Sequence, residues 1–198
     1  MQMESSGKGV RKDGKPVKVG SGAVIWGESG SNAQHSFYQL LHHGKRFIPV
    51  DFILPAKTSN ATQEQQDLAI ANCIAQSEAL MDGYSEEQAI ADLINAGAAP
   101  ADAKRLSPHK KHPGNRPSNT ILLQRLTPSS LGQLIALYEH KVFVEGVVWG
   151  INSFDQYGVE LGKRLASDVS EVVAGNNDYE GGNDSSRGLL AVIQRLKS

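Results

Sequence analysis

The sequence predicts an α/β fold built around a parallel sheet, and three observations support that prediction. Short apolar segments typical of buried strands alternate with longer segments of helical periodicity. A strand, a helix and a second strand follow one another within about 32 residues, which is the length of a βαβ unit. The chain has 198 residues, 39% of them hydrophobic, which is enough for one well-buried domain.

The first twenty residues are basic and rich in turn-forming residues. Asp13 and Gly14 lie between short valine-containing segments, and this dipeptide favours a type I′ hairpin because both turn residues must accept positive φ. The surrounding cations are Lys8, Arg11, Lys12, Lys15 and Lys18. We expect them to form a solvated charged face, since no aromatic side chains are present to stack on nucleic-acid bases.

The predicted βαβ unit follows this hairpin. Its segments are a wholly apolar strand at Ala23–Trp26, a helix at Ala33–His43 and a second buried strand at Phe47–Leu54. Gly44 should end the helix and Pro55 should end the second strand. Residues 27–32 then form the loop after the first strand, where parallel sheets commonly bind ligands.

Helices dominate the rest of the chain. They are predicted at Thr62–Met81, Ser85–Ala96, Pro128–Trp149, Phe154–Ala174 and Ser185–Leu196, with a third strand at Ser118–Leu126. Ser85 opens a capping box and Pro128 occupies a first helical position, both typical of helix starts. Asn152 and Ser153 can cap the helix that follows them. Three prolines predict a loop over residues 107–117.

Composition excludes several classes of protein. Twenty Lys and Arg against twenty-one Asp and Glu give a net charge of −1, which argues against a nucleic-acid-binding protein. A single cysteine excludes a disulfide framework and fits a reducing compartment. The longest apolar stretch, Val142–Ile151, is interrupted by Glu145 and is too short to span a membrane. No secretory signal is visible, so we expect a cytoplasmic protein without a membrane partner.

Residue types suited to acid–base chemistry are present but scattered. His35 is predicted in the first turn of its helix, where the helix dipole disfavours an imidazolium ion; the alternative is an ordinary surface or core histidine. The loop before it is neither a Walker A loop nor a GxGxxG motif. Glu160 and Lys163 stand three residues apart and, taken alone, predict a surface ion pair.

The candidates for metal binding and nucleophilic catalysis are weaker. His109 and His112 bracket two lysines, but a zinc site needs more ligands, so we expect no metal. Cys73 lies on a predicted helix without a neighbouring histidine and is expected at a core position. From the residues alone, the interpretation stops at an α/β ligand-binding domain.

Seven stretches of the chain carry a resemblance to a known family. They are Met3–Lys8, Trp26–Gln39, Ile48–Ile53, Asn72–Leu80, Gly114–Asn119, Tyr138–Lys141 and Gly146–Lys163. Together they resemble the glucose-6-phosphate isomerase (phosphoglucose isomerase) family, and the last stretch is similar to its C-terminal signature throughout. The resemblance covers essentially the whole chain.

The resemblance implies a three-layer α/β/α sandwich with a mostly parallel sheet, of the flavodoxin-like sugar-isomerase type, plus C-terminal helices. Residues 1–174 would be the second sugar-isomerase domain, incomplete at its N-terminus, and residues 175–198 a linker and C-terminal helix. The chain resembles only the last third of a family member. We therefore expect a C-terminal fragment that lacks the phosphate-binding loop and is inactive alone.

The resemblance also implies an activity, the interconversion of glucose 6-phosphate and fructose 6-phosphate in glycolysis and gluconeogenesis. Glu4 matches the family's base, which moves a proton through a cis-enediol; Ser6 replaces an asparagine of that motif. His35 matches the histidine that assists ring opening from the neighbouring subunit, which implies a homodimer. Lys163 matches the lysine near the ring oxygen, and Gln156 a glutamine that contacts the sugar-phosphate substrate. No metal or organic cofactor is implied.

Two alternatives remain open at this point. The same domain type could serve as a non-catalytic sugar-phosphate-binding domain, although such a sensor has no need of a carbon base. The fragment could also have a structural or secreted interaction role. An isomerase assay discriminates among the three.

Overall fold

The computed structural model describes residues 1–59, 61–175 and 182–197. In chain order the helices are α1 (Gln2–Ser6), α2 (Gly30–Ser36), α3 (Tyr38–His43), α4 (Gln63–Asp82), α5 (Glu86–Asn95), α6 (Pro100–Lys110), α7 (Pro128–Trp149), α8 (Tyr157–Val173) and α9 (Asp184–Lys197); the strands are β1 (Val50–Lys57) and β2 (Ser118–Arg125). Within the described ranges, no helix is both long enough and apolar enough to cross a membrane.

The chain divides into two compact units. The sheet unit is Ile25–Leu137, and the terminal unit combines Met1–Val24 with Tyr138–Ser198. The predicted boundary at residue 174 stays a prediction. In the terminal unit, α9 contacts α8. Val172 of α8 and Leu190 of α9 are both buried. The predicted final helix is thereby confirmed, while residues 176–181 of the predicted linker lie outside the described part.

The sheet unit is built around two parallel strands. β1 and β2 pair from Val50 opposite Ser118 to Lys57 opposite Arg125, and α4, α5 and α6 connect them. The α/β class and the parallel pairing are therefore confirmed. The three-layer sandwich stays a prediction.

A buried cluster holds α2 and α3 against β1 and α4. Its members are Ala33, Tyr38, Leu41, Phe52 and Leu80. Leu80 is the buried residue of α4, whereas Leu68, Ile74 and Met81 are each more than half exposed. The apolar residues of α4 therefore do not all face this core.

The strand predicted at Ala23–Trp26 is wrong. Val24 is 83% exposed, and this segment pairs with no other strand in the part of the chain that the structure describes. Instead, the Trp26 ring stacks on Phe37, with 5.2 Å between ring centroids. An apolar run forms a strand only where a neighbouring strand completes its backbone hydrogen bonds. In the described part of the chain, β1 pairs with β2 alone, so the run at Ala23–Trp26 has no such neighbour.

The helix predicted at Ala33–His43 is divided in two. Phe37 has φ −138°, outside the helical range, and separates α2 from α3. His35 consequently lies in the last turn of α2 rather than in a first turn. The predicted placement of His35 in a first helical turn is therefore wrong, and the helix-dipole argument based on that placement does not apply.

Two predictions based on prolines are wrong: that Pro55 ends its strand, and that the loop over residues 107–117 begins at Ser107. β1 passes through Pro55 to Lys57, which an edge strand allows because the missing N–H can face away from the partner strand. α6 passes through Pro108 to Lys110. Pro108 cannot donate to the Lys104 carbonyl four residues earlier, and the Ser107 hydroxyl donates to that carbonyl instead, at 3.2 Å.

Local helix signals were reliable in the middle of the chain. Thr62 and Ser85 each form a complete capping box at the starts of α4 and α5, and α7 begins at Pro128 as predicted. The cap predicted at Asn152 and Ser153 is wrong, because α8 begins only after Gln156.

The N-terminal hairpin forms, but its turn is not type I′. Gly14 has φ +79°, whereas Asp13 is not among the described residues with positive φ. The Gly14 N–H donates to the Arg11 carbonyl at 3.0 Å, and the Arg11 N–H donates to the Lys15 carbonyl at 2.8 Å. This is the three-residue hairpin loop, in which a single left-handed glycine follows an ordinary turn.

Candidate active site

Glu4 is presented to solvent from a very short helix. It lies in α1 and is exposed, and its carboxylate has no hydrogen-bond or ion-pair partner among the described residues. A five-residue helix is not stable alone, so contacts outside α1 must hold it. At its start, the Gln2 side-chain amide donates to the Glu145 carboxylate at 2.8 Å. Ser5 and Ser6 are buried.

Lys8 holds the other end of α1. Its ammonium group donates to the Glu4 carbonyl at 3.0 Å and forms an ion pair with the Asp155 carboxylate at 2.8 Å. It also donates to the Asp155 carbonyl. Only 15% of the Lys8 side chain is exposed. The predicted solvated role of this lysine is therefore wrong: it joins the Glu4 segment to residues of the C-terminal signature.

The segment before α8 is attached to the N-terminal hairpin as well. The Lys12 N–H donates to the Gly150 carbonyl at 2.7 Å, and Arg11 forms a β-bridge with Ile151. Ile151 is 1% exposed. Gln156 follows shortly after as the N-cap residue of α8, with an exposed side chain.

Lys163 lies seven residues after Gln156, which is two helical turns. Both residues therefore lie on the same side of α8, and both are exposed. The ion pair predicted between Lys163 and Glu160 is not among those that the described residues form. The Lys163 ammonium group is thus available to a ligand.

His35 belongs to the sheet unit and is also exposed. The Glu28 carboxylate is bonded to α2, the helix that contains His35. It accepts hydrogen bonds from the side chains of Asn32, at 3.2 Å, and Ser36, at 3.0 Å. Next to His35, the Gln34 side chain donates to Asn72 of α4 at 3.2 Å. Neighbouring side chains therefore hold the helical turn that contains His35 in place, while the His35 side chain itself is exposed.

Three other histidines, His42, His43 and His112, form a cluster of a different kind. The ring centroids of His43 and His112 are 4.4 Å apart, and those of His42 and His112 are 5.3 Å apart. Burial lowers the pKa of His43, and the positive charges of His112 and His42 lower it further. Among the described residues, no group of three or more His, Cys, Asp or Glu side chains could hold a metal ion.

Cys73 is half-buried beside the core cluster, in agreement with its predicted core position. Burial raises the pKa of its thiol. The thiolate is the nucleophilic form of cysteine, so this environment disfavours nucleophilic catalysis by Cys73.

Two residues of this site were missed by sequence reasoning. Lys8 was counted as surface charge because its acceptor on Asp155 lies 147 residues away. Glu28 was counted as part of an ordinary loop, although its two donors follow at positions i+4 and i+8. The spacing of Glu28, Asn32 and Ser36 is a signal that could have identified this contact.

In chemical terms, the terminal unit offers a carboxylate, an amide and an ammonium group, and the sheet unit offers an imidazole. A carboxylate and an imidazole can serve as general base and acid. An ammonium group can stabilise developing negative charge on oxygen.

Comparisons with known proteins identify the family of this chain. A family profile described as phosphoglucose isomerase matches residues 1–190. The glucose-6-phosphate isomerase of Stutzerimonas stutzeri is 50% identical over 190 residues, which are 96% of this chain and 34% of that relative. That of Mesorhizobium japonicum is 50% identical over 198 residues, which are 100% of this chain and 36% of that relative.

A solved structure shares the fold. The crystal structure of a glucose-6-phosphate isomerase from Chlamydia trachomatis matches with a TM-score of 0.73 and 34% sequence identity, over 98% of this chain and 34% of that chain. The protein is thus of the α/β class that this structure represents. The chain belongs to the phosphoglucose isomerase family. It spans about a third of the length of the curated relatives that it matches.

Proposed function

We propose that this chain supplies the proton-transferring groups of an enzyme that interconverts glucose 6-phosphate and fructose 6-phosphate. The observation that carries the proposal is the family match over residues 1–190, which includes Glu4, His35, Gln156 and Lys163. All four side chains are exposed and able to meet a ligand.

Glu4 is proposed as the base. Conversion of an aldose to a ketose requires removal of the proton on C2 and its return to C1, with a cis-enediol between the two steps. One carboxylate can reach both adjacent carbons, so a single glutamate serves both steps. The free carboxylate and anchored backbone of Glu4 suit this role.

The other three residues are proposed to prepare and stabilise the sugar. His35 exchanges a proton with the ring oxygen and so assists ring opening. Lys163 stabilises the negative charge that develops on oxygen during enolisation, and Gln156 hydrogen-bonds the sugar. The reaction needs an acid, a base and a positive charge that stabilises negative charge on oxygen. These side chains provide all three without a cofactor.

Two further parts of the proposal concern groups outside this chain. We assign the contacts to the substrate phosphate to the regions of the relatives that this chain does not match. We also propose a homodimer in which His35 serves the site of the neighbouring subunit. Both follow from the family and from no contact within the chain.

A chimera tests the proposal. This chain replaces the 198 residues of the Mesorhizobium japonicum relative that it matches, and isomerisation is followed in a coupled assay. We expect turnover by the chimera and none by the relative truncated before the replaced region. We also expect the 198-residue chain alone to show less than about 1% of the relative's turnover, since remote contacts position the reacting carbons.

A chimera with the relative's circular dichroism and oligomeric state but no turnover would contradict the proposal. If it still bound the sugar phosphate, the non-catalytic binding domain would be the better interpretation.

A further inference from the structure

Lys8 contacts the helix that carries the proposed base, Glu4, although Lys8 has no part in the proposed proton transfer. The Lys8 ammonium group contacts the Glu4 carbonyl at 3.0 Å and the Asp155 carboxylate at 2.8 Å, and it also contacts the Asp155 carbonyl. Its three N–H donors therefore have three acceptors on two segments. The exposed fractions are 15% for the Lys8 side chain and 27% for Asp155, so water competes weakly for these contacts.

These contacts fall where α1 has no support of its own. The last carbonyls of a helix lack partners within it, and in a five-residue helix those carbonyls include that of Glu4. The ammonium group satisfies this carbonyl and lies at the negative end of the helix dipole. The other polar anchor, between Gln2 and Glu145, lies at the opposite end.

The backbone around this anchor is tightly packed. The Lys8 carbonyl accepts a hydrogen bond from the Ser21 hydroxyl. A Cβ placed on Gly22, which has φ +71°, would lie 2.6 Å from the Cα of Gly7, closer than real Cβ atoms approach. The backbone that leads into Lys8 is therefore held in one conformation. The contacts of the ammonium group then fix the position of Glu4 relative to Asp155.

We infer that Lys8 is a positioning residue, which sets the position of the Glu4 carboxylate relative to Gln156 by bridging α1 to Asp155. Gln156 directly follows Asp155 in the chain. This inference rests on the proposed function. Lys8 itself exchanges no proton with the substrate; its removal should slow the chemical step, because misplacement of a catalytic group by about 1 Å can cost about 10²-fold.

The first test uses the chimera described above with the substitution Lys8→Met, which keeps the length of the side chain and removes the donors. We expect kcat to fall about 10- to 100-fold while KM stays within about threefold. The matched control is Lys18→Met, because Lys18 is exposed and has no hydrogen-bond or ion-pair partner among the described residues. It should leave both constants unchanged.

A milder variant distinguishes the loss of this contact from a general loss of stability. Asp155→Asn removes the ion pair but leaves the Asp155 carbonyl and an amide oxygen as acceptors, so kcat should fall less than in Lys8→Met. The double variant should be no slower than Lys8→Met, since both changes break the same contact. A general loss of stability would instead lower the activity of both variants in proportion to their unfolding.

Hydrogen exchange on the 198-residue chain provides a second measurement. In Lys8→Met, amide exchange should be faster in residues 2–8 and 151–156, and unchanged in the sheet unit; Lys18→Met should match the unsubstituted chain. Unchanged exchange in those two segments would overturn the inference.

The outcomes separate this inference from the proposed function. If the unsubstituted chimera is active, Glu4→Gln abolishes its turnover and Lys8→Met keeps at least half of kcat, the inference is wrong and the proposed function stands. If the folded unsubstituted chimera is inactive, the proposed function fails and the inference fails with it.

Discussion

Glu4 combines a free carboxylate with a fixed backbone. Its carbonyl is bound by Lys8, while its carboxylate stays exposed and without a partner among the described residues. A general base needs both properties, since its lone pair must be available and its distance from the carbon-bound proton must be set in advance. A surface glutamate that serves only solubility has no need of the second.

Glu4→Gln in the chimera should abolish isomerisation and preserve much of the substrate affinity. The amide keeps the shape of the carboxylate but cannot accept a carbon-bound proton, and general-base catalysis contributes about 10²–10⁴-fold. Steady-state kinetics and a separate binding measurement with the sugar phosphate check this. A variant with more than about a tenth of kcat would show that another group is the base.

His35→Ala should slow the closed-ring sugar phosphate more than an open-chain analogue, because the open chain needs no ring opening. The measurement is the ratio of kcat/KM values for the two compounds, in variant and unsubstituted chimera, well below the unfolding temperature. His109→Ala is a suitable control, since His109 is exposed on α6. A ratio unchanged within about twofold would favour a packing role for His35.

At the scale of elements, the histidine cluster couples α3 to the segment that follows α6. His42 and His43 end α3, and His112 pairs in a β-bridge with Tyr84. Buried ring nitrogens of His42 and His112 have no hydrogen-bond partner. A positive charge on His43 therefore lies beside two other imidazoles.

The free energy of unfolding should fall as the pH falls through about 6.5, the ordinary pKa of histidine. Burial and the neighbouring histidines lower the pKa of His43 in the folded chain. The unfolded chain therefore binds a proton first on acidification, and the stabilisation present above that pH is lost below it.

Urea unfolding of the 198-residue chain at pH 7.5 and pH 5.5 measures this loss. His43→Gln should reduce the difference between the two pH values, and the exposed His109→Gln should not. Equal differences in all three proteins would show that His43 does not contribute.

Elements with local signals could be predicted from the sequence, and elements set by distant contacts could not. The capping box at Ser85 involves residues three apart, so the start of α5 was predicted correctly from it. Ala23–Trp26 was predicted as a strand because an apolar run does not reveal whether a partner strand exists. Residues 107–110 were predicted as part of a loop because the compensating hydroxyl of Ser107 acts only in the folded turn.

The same distinction holds for the candidate site. The proposed roles of Glu4, His35, Gln156 and Lys163 came from the resemblance and stay predictions, because spacing alone could not bring such distant residues together. The structure adds Lys8, whose importance depends on a contact across 147 positions. No periodicity or local motif encodes such a contact.

At the scale of the whole molecule, the four residues of the proposal do not all belong to one compact unit. Glu4, Gln156 and Lys163 belong to the terminal unit and His35 to the sheet unit. The proposed homodimer assigns His35 to the neighbouring subunit's site. Under this assignment, one active site needs Glu4 from one subunit and His35 from the other.

Mixing inactive Glu4→Gln and His35→Ala chimeras should restore some activity once the subunits exchange. Each mixed dimer would then contain one site with both groups intact. The coupled assay measures recovery, and differently tagged subunits measure exchange. Proven exchange without recovery would mean that Glu4 and His35 act in one site from one chain.

The register of the two strands has a consequence for how the chain folds during synthesis. Val50 pairs with Ser118, so the ribosome must add 68 residues before β1 meets its partner. At about 5–20 residues per second, this delay is roughly 3 to 14 s. Helix formation takes microseconds or less, so α4, α5 and α6 have time to form first. The capping boxes at the starts of α4 and α5 favour helix formation in this connection before β2 is synthesised. Preformed helices shorten the flexible chain that must close when β2 pairs with β1.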